Sequence, residues 1–191
     1  MIGKFIVFEG IDGCGKSTQS KILYDRLSEQ GIPTLLTREP GGTAFGSEAR
    51  SLLFAHDLCP RAELFLLLAD RAQHCHEMIT PALIRGEWVI SDRFTPSTIA
   101  YQGWGRNDRY TMLNTYAATP LFPDLTFWID TPIKICLKRV GGDRFEKMGE
   151  DFYTKVREGY ESQDLTRIDG DKEIATIADE IQTIVAKLLP I

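Results

Sequence analysis

The chain has 191 residues, 43% of them hydrophobic and 26% charged, with a formal net charge of −5. These values suit one domain, 1–191, that buries roughly 70% of its unfolded surface, and the acidic balance excludes a bulk nucleic-acid binder, which carries a basic face. No apolar stretch approaches the ~20 residues that span a bilayer, and residues 1–10 lack the length and cleavage site of a signal peptide; a cytoplasmic protein with no membrane or nucleic-acid partner is expected. In chain order, the first predicted element is a strand over 4–10, KFIVFEG, followed by a helix from Lys16 that stops at Gly31. A strand at 33–39 and a short helix at 46–54 come next. A long helix over 61–85 carries Leu64, Leu68, Ala72, Cys75 and Ile79 at helical spacing. Then come a strand at 87–93, a helix at 96–117, a strand at 124–130, helices at 132–140 and 150–161, and a weakly apolar strand at 164–169. The last helix, 172–188, places Ile174, Ile177, Ala178, Ile181, Val185 and Leu188 on one stripe. The near-continuous apolar runs of the first four strands fit burial on both faces. Strands alternating with helices predict an α/β fold: a five-stranded parallel sheet, right-handed crossovers, and helices on both faces.

The turn after the first strand reads Gly10-Ile11-Asp12-Gly13-Cys14-Gly15-Lys16-Ser17, then Thr18. It fits G-x-x-x-x-G-K-[ST] between a strand and a helix, the context that gives that pattern its meaning. Glycines let successive N–H groups turn inward as an anion nest, and the helix N-terminus adds about half a positive charge. Lys16 supplies a cation for the β- and γ-phosphates and Ser17 a hydroxyl for Mg²⁺. The turn therefore predicts a bound nucleoside triphosphate with Mg²⁺. Cys14 within it reads as a small filler residue, with a redox-active thiol as the alternative.

A second informative stretch, VISDRFTPSTIAYQG (89–103), starts on a strand and ends in a helix. Strand ends of this kind line the ligand crevice of an open α/β sheet. Asp92 is a candidate for the metal or its water and Arg93 for a phosphate, against the alternative of a plain surface ion pair. The four cysteines are dispersed without a C-x-x-C, which argues against disulfides or zinc. His74 and His76 point to different faces of a helix and are expected to be surface residues. A guanine-reading N-K-x-D is missing, because neither Asn107 nor Asn114 precedes a lysine. That disfavours a GTPase switch and leaves a nucleotide-dependent kinase or an ATPase open.

FEGIDGCGKST, TREPGGT (37–43), ADRAQH (69–74), SDRFTPSTIAYQG (91–103) and DLTFWIDTP (124–132), in this order, resemble the bacterial thymidylate kinases over nearly the whole chain. The resemblance implies a P-loop nucleoside monophosphate kinase fold with a short lid over about 139–151, and transfer of the γ-phosphoryl group of ATP to dTMP with Mg²⁺ held by Ser17 and Asp92. It implies that Arg93 and Arg50 hold the dTMP phosphate, with Arg38 and Glu39 in the same loop, and that Arg71 hydrogen-bonds the thymine edge. Ser97, Thr98 and Gln102 lie near the base, Tyr101 crowds the 2′ position, and Asp12 accepts from the 3′-hydroxyl. Two departures stand out. Where relatives stack a phenylalanine on thymine, this chain has Leu67, so either weaker base discrimination or compensation by another aromatic is expected; Phe65, two residues away, faces elsewhere. The P-loop carries no extra basic residue, so the lid supplies the catalytic arginine, Arg144 first and Arg139 second, the latter also against adenine. Relatives of this kind are homodimers, and the same is expected here.

Overall fold

The five strands read from the sequence all form, each within two residues of its expected bounds: β1 (Phe5–Glu9), β2 (Thr34–Arg38), β3 (Trp88–Asp92), β4 (Leu125–Asp130) and β5 (Thr166–Asp169). The computed structural model describes residues 3–108, 121–139, 145 and 148–189. All pairings are parallel, in the order β2-β3-β1-β4-β5. Alternation along β1 sends Ile6 and Phe8 into the larger core with Ile90 and Phe127. Phe5 and Val7 enter a second core, on the other face, with Val89 and Ile79. Burial on both sides accounts for the unbroken apolar runs.

The helices are α1 (Lys16–Glu29), α2 (Ala44–Ala55), α3 (Pro60–His74), α4 (Thr80–Ile84), α5 (Thr95–Thr98), α6 (Ile133–Arg139), α7 (Gly149–Glu161) and α8 (Ile174–Val185). At the end of α1, Ile32 N–H donates to Leu27 O at 3.0 Å and Gly31 N–H to Ser28 O at 2.9 Å. With Gly31 at φ 74°, this is a Schellman stop, as the Gly31–Pro33 spacing predicted. The long helix expected over 61–85 is interrupted: a π-helical turn, Cys75–Ile79, joins α3 to α4. Another, Ile99–Gly105, continues α5. The expected stripes hold except at two points. Ala72 is exposed, and Ile174 is 57% exposed at the start of α8.

The sheet places the chemistry. Phe8 of β1 pairs with Asp92 of β3, and Arg38 of β2 pairs with Asp92 from the other side. The turns after β1, β2 and β3 therefore emerge side by side at the carboxyl edge. There β1 stands between β3 and β4, a place where neighbouring connections part and leave a crevice.

Candidate active site

The turn Gly10 to Ser17 wraps back on itself before α1. Gly10 has φ 139°, and a Cβ there would lie 2.6 Å from Ile129 O, so only glycine fits. Gly15, at φ 105°, caps α1 in the left-handed region. Lys16 is 5% exposed and its Nζ donates to Ile11 O at 3.0 Å, which folds the ammonium over the turn. Ser17 Oγ donates to Asp92, so the two residues predicted to serve a metal meet. Cys14 is buried, and burial pushes its thiol above the ordinary range despite nearby Lys16. The filler reading of Cys14 fits; a thiolate does not. A cleft of about 610 Å³ opens over this turn, reaching Arg38, Arg139, Lys172 and Ile174. Arg139, at the end of α6, donates to Gly13 O at 3.3 Å.

Arg93 follows β3 and is the hub of the crevice. It is a non-glycine residue at φ 78°, a conformation that costs about 1–2 kcal/mol and that its contacts hold in place. Its backbone N–H donates to Phe8 O at 2.9 Å. Its Nη1 donates to Gly10 O (3.0 Å) and Ser97 Oγ (2.8 Å), and its Nη2 to Asp12 Oδ1 (2.5 Å). Tyr101 OH donates to Asp12 Oδ2 at 3.0 Å. Burial works against the Asp12 charge, but Arg93 and Lys16 outweigh it and hold the carboxyl well below its usual range. Asp12, Arg93 and Tyr101 thus form one ion-paired group between the P-loop and a second pocket.

That pocket is lined by Leu53, Phe54, Leu67, Arg71 and Phe145, with Arg50, Thr98 and Gln102 at its sides. Arg71 is 3% exposed; its Nε donates to Glu39 Oε2 at 2.7 Å and its Nη2 to Phe94 O at 3.0 Å. Glu39 also takes His74 Nδ1 at 3.0 Å, and His74 Nε2 lies 2.7 Å from Thr37 Oγ1. The expectation of a surface His74 is therefore corrected. His74 is fully buried, because its face of α3 packs over the turn after β2; His76 is exposed as expected. Phe65 is 52% exposed and faces away, while Leu67 lines the pocket. Phe54 and Phe145 stand on the same wall, their centroids 6.2 Å apart. Arg50 lies over the Phe54 ring at 4.9 Å.

Two residues that sequence reasoning passed over tie this site together. Glu9 is fully buried and accepts from Phe94 N (2.8 Å), Ser97 N (3.2 Å), Ser97 Oγ (2.5 Å) and Tyr160 OH (3.1 Å). It caps the start of α5 from the end of β1. Tyr160, on α7, also receives Arg93 Nη1 at 3.2 Å. The signal for Glu9 was its charge inside an apolar run; Tyr160 had none. Ser97 lines the pocket, as expected of a residue near the substrate, while its hydroxyl is engaged by Glu9 and Arg93. Gln102 donates to Glu63 at 2.8 Å while lining the pocket. Arg144 lies outside the described residues, as does most of the expected lid. Among the described residues no cluster of three or more His, Cys, Asp or Glu is set to hold a metal. The Ser17–Asp92 pair offers two hard oxygen donors, which suits Mg²⁺, an ion that takes few protein ligands and completes its shell with water and phosphates.

A parallel sheet whose first strand feeds a phosphate-binding turn, with an arginine hub and an apolar pocket across the crevice, is the architecture of a P-loop nucleoside monophosphate kinase. A sequence model of the thymidylate kinase family matches residues 8–186, and the chain belongs to that family. It is 44% identical to the thymidylate kinase of Fervidobacterium nodosum, over 93% of this chain and 95% of that one. It is 45% identical to that of Carboxydothermus hydrogenoformans, over 95% and 96%. The solved structure of the Ehrlichia chaffeensis thymidylate kinase is similar with a TM-score of 0.82 at 34% identity, over 97% of this chain and 99% of that one.

Proposed function

We propose that this chain transfers the γ-phosphoryl group of ATP to dTMP, releasing ADP and dTDP. A dTMP phosphate oxygen attacks Pγ, and the bond from Pγ to the β-bridging oxygen breaks. The nucleophile is already anionic, so positioning and charge neutralisation carry the catalysis. The cleft over Gly10, Ile11, Gly13, Cys14, Gly15 and Thr18 takes ATP, with Lys16 against its phosphates and Arg139 beside the nucleoside. The pocket across Arg93 takes dTMP. Arg93, Arg50 and Arg38 hold its phosphate, Asp12 and Tyr101 meet the sugar, and Arg71 meets the base. Phe54 and Phe145 supply the aromatic contact that Leu67 does not. Ser17 and Asp92 hold Mg²⁺, which when bound screens the charge between the two phosphate groups. Arg144, read from sequence alone, is the lid cation. A homodimer completes the reading; half-exposed Phe65 on α3 and Leu52 on α2 support a second copy, and a light-scattering mass equal to one chain would remove it.

The observation that carries the proposal is the Asp12–Arg93 pair, whose two residues line both cavities. Such an arrangement lets two phosphate groups approach end to end. Coupled ADP release across dTMP, dUMP, dCMP, dGMP and AMP tests it. dTMP should be the best acceptor, and Lys16→Ala should lower kcat by about 10²-fold or more. No turnover of dTMP by the wild type, or unchanged turnover in Lys16→Ala, would overturn the reading.

A further inference from the structure

Glu9 is the last residue of β1 and is fully buried, yet it lines neither of the two cavities. Its Oε1 accepts the backbone N–H groups of Phe94 at 2.8 Å and Ser97 at 3.2 Å, and its Oε2 accepts Ser97 Oγ at 2.5 Å and Tyr160 OH at 3.1 Å. An ionised carboxylate offers about four lone-pair sites and no donor, so this ring of donors suits the charged form. Burial pushes the Glu9 carboxyl up against the pull of Arg93, Ser97, Phe94 and Lys16; a proton on it would displace one of the donors. The two hydroxyls on Oε2 also meet Arg93, whose Nη1 reaches Ser97 Oγ at 2.8 Å and Tyr160 OH at 3.2 Å. A guanidinium can only donate. Each hydroxyl therefore accepts from Arg93 and turns its own hydrogen to Glu9; for Tyr160, Gly10 O at 3.3 Å is the longer alternative. Two parallel bridges thus run from guanidinium to carboxylate. Oε1 meanwhile grips the N–H that follows Arg93 in the chain, next to its left-handed φ of 78°. One buried carboxylate holds Arg93 by its side chain and by its backbone.

We propose that Glu9 is a positioning residue for phosphoryl transfer, aiming the Arg93 guanidinium through the hydroxyls of Ser97 and Tyr160. Arg93 borders both cavities, and its Nη2 faces Asp12. Its Nη1 is clasped from behind by the two bridges and by Gly10 O, which fixes the plane of the fork before a phosphate arrives. The Tyr160 ring is held in turn by a stack on Trp128, centroids 6.1 Å apart. Donors already aimed at the place where charge develops cost no reorganisation at the moment of reaction. Misplacing a group by about 1 Å costs on the order of 10²-fold, so losing the bridges acts on the chemical step more than on binding. Glu9 touches no substrate and acts only through Arg93. The inference rests on the proposed transfer to dTMP and adds the charge that fixes its central arginine.

Glu9→Gln separates the two grips. The amide oxygen can keep the backbone N–H groups, while the NH₂ faces hydroxyls that already accept from Arg93 and so breaks the bridges. Steady-state kcat and KM are measured for wild type, Glu9→Gln, the Ser97→Ala/Tyr160→Phe double variant and the triple variant. Hydrogen bonds to a charged group lead us to expect Glu9→Gln to lower kcat by about 10- to 100-fold, with KM for dTMP and for ATP within about threefold of wild type. In the double variant the bridges are already gone, so adding Glu9→Gln should cost less than about threefold more. An unchanged kcat in Glu9→Gln, a rise in KM alone, or the same loss of kcat in both backgrounds would overturn the inference. Should Glu9→Gln fail to fold, Tyr160→Phe alone replaces it. That variant leaves Glu9 and its backbone grip in place, removes one bridge, and should lower kcat about three- to tenfold at unchanged KM; an unchanged kcat would count against the bridges. Failure of the wild type to phosphorylate dTMP at all would strike the functional proposal instead, so the two failures are distinguishable.

Discussion

Asp70 is 1% exposed, and burial, followed by the nearby Glu39 charge, pushes its pKa up to about 6; Gly41 N–H, His74 and Arg71 pull the other way without prevailing. A carboxyl raised above its ordinary value near 3.8 binds its proton more tightly folded than unfolded. Its contribution to stability is therefore fully present below pH ~4 and is lost as pH rises through about 6. Ionised Asp70 thus weakens the ligand-free protein at neutral pH. Asp70→Asn removes that titration. Urea melts of wild type and Asp70→Asn should nearly coincide at pH 4 and diverge by pH 7.5, with the variant more stable by about 2 kcal/mol. A difference that stays constant with pH would show that Asp70 does not carry this charge cost. Asp12 runs in the opposite sense. Arg93 and Lys16 hold its carboxyl low, so its contribution is present at neutral pH and fades only in acid. Two carboxylates in one crevice are thus set apart by their neighbours, one tied to cations and the other left with a free oxygen.

At the scale of elements, the reading from sequence was good where a single segment carries its own signal. Runs of apolar and β-branched residues located the first four strands, and the turn from Gly10 to Ser17 announced a phosphate nest between strand and helix. Gly31 marked the end of α1 because only a residue at ease with positive φ closes that hydrogen-bond pattern. What escaped depends on two segments meeting. Glu9 looked like the polar end of a strand; only the arrival of Phe94, Ser97 and Tyr160 from β3, α5 and α7 makes it the cap that fixes where α5 begins. His74 looked like half of an exposed pair, because helical spacing says which residues share a face but not which face is covered. Its partners, Thr37 and Glu39, lie 37 and 35 residues earlier. The π-helical turns after α3 and α5 were equally invisible, since local propensity favours an unbroken α-helix and the extra residue is accommodated only by tertiary packing. Asp12 and Asp92 were legible because they sit beside a motif. Asp70 was not, because the room its carboxylate occupies is left by Gly46 and Gly41, which lie well before it in the chain.

The whole molecule is acidic, so it gathers anions by placing a few cations at one sheet edge rather than by its overall field. Lys16 lines only the cleft over the phosphate turn, Arg71 only the acceptor pocket, and Arg93, Arg50 and Asp12 line both. The two half-sites should therefore be separable by mutation yet share a boundary. Ligands that bind only the folded state stabilise it by mass action, about 2.7 kcal/mol at a hundredfold excess over Kd. For a chain of this size that corresponds to a rise of roughly 5–10 °C in Tm. The wild type should show such a rise with dTMP alone and with MgATP alone. Lys16→Ala should keep the dTMP shift and lose most of the MgATP shift, because its missing ammonium belongs to one half-site. Arg93→Ala should diminish both, since the boundary residue serves each. If Lys16→Ala lost both shifts equally while its unliganded Tm stayed at the wild-type value, the two cavities would be one site, and the end-to-end arrangement of the nucleotides would have to be abandoned.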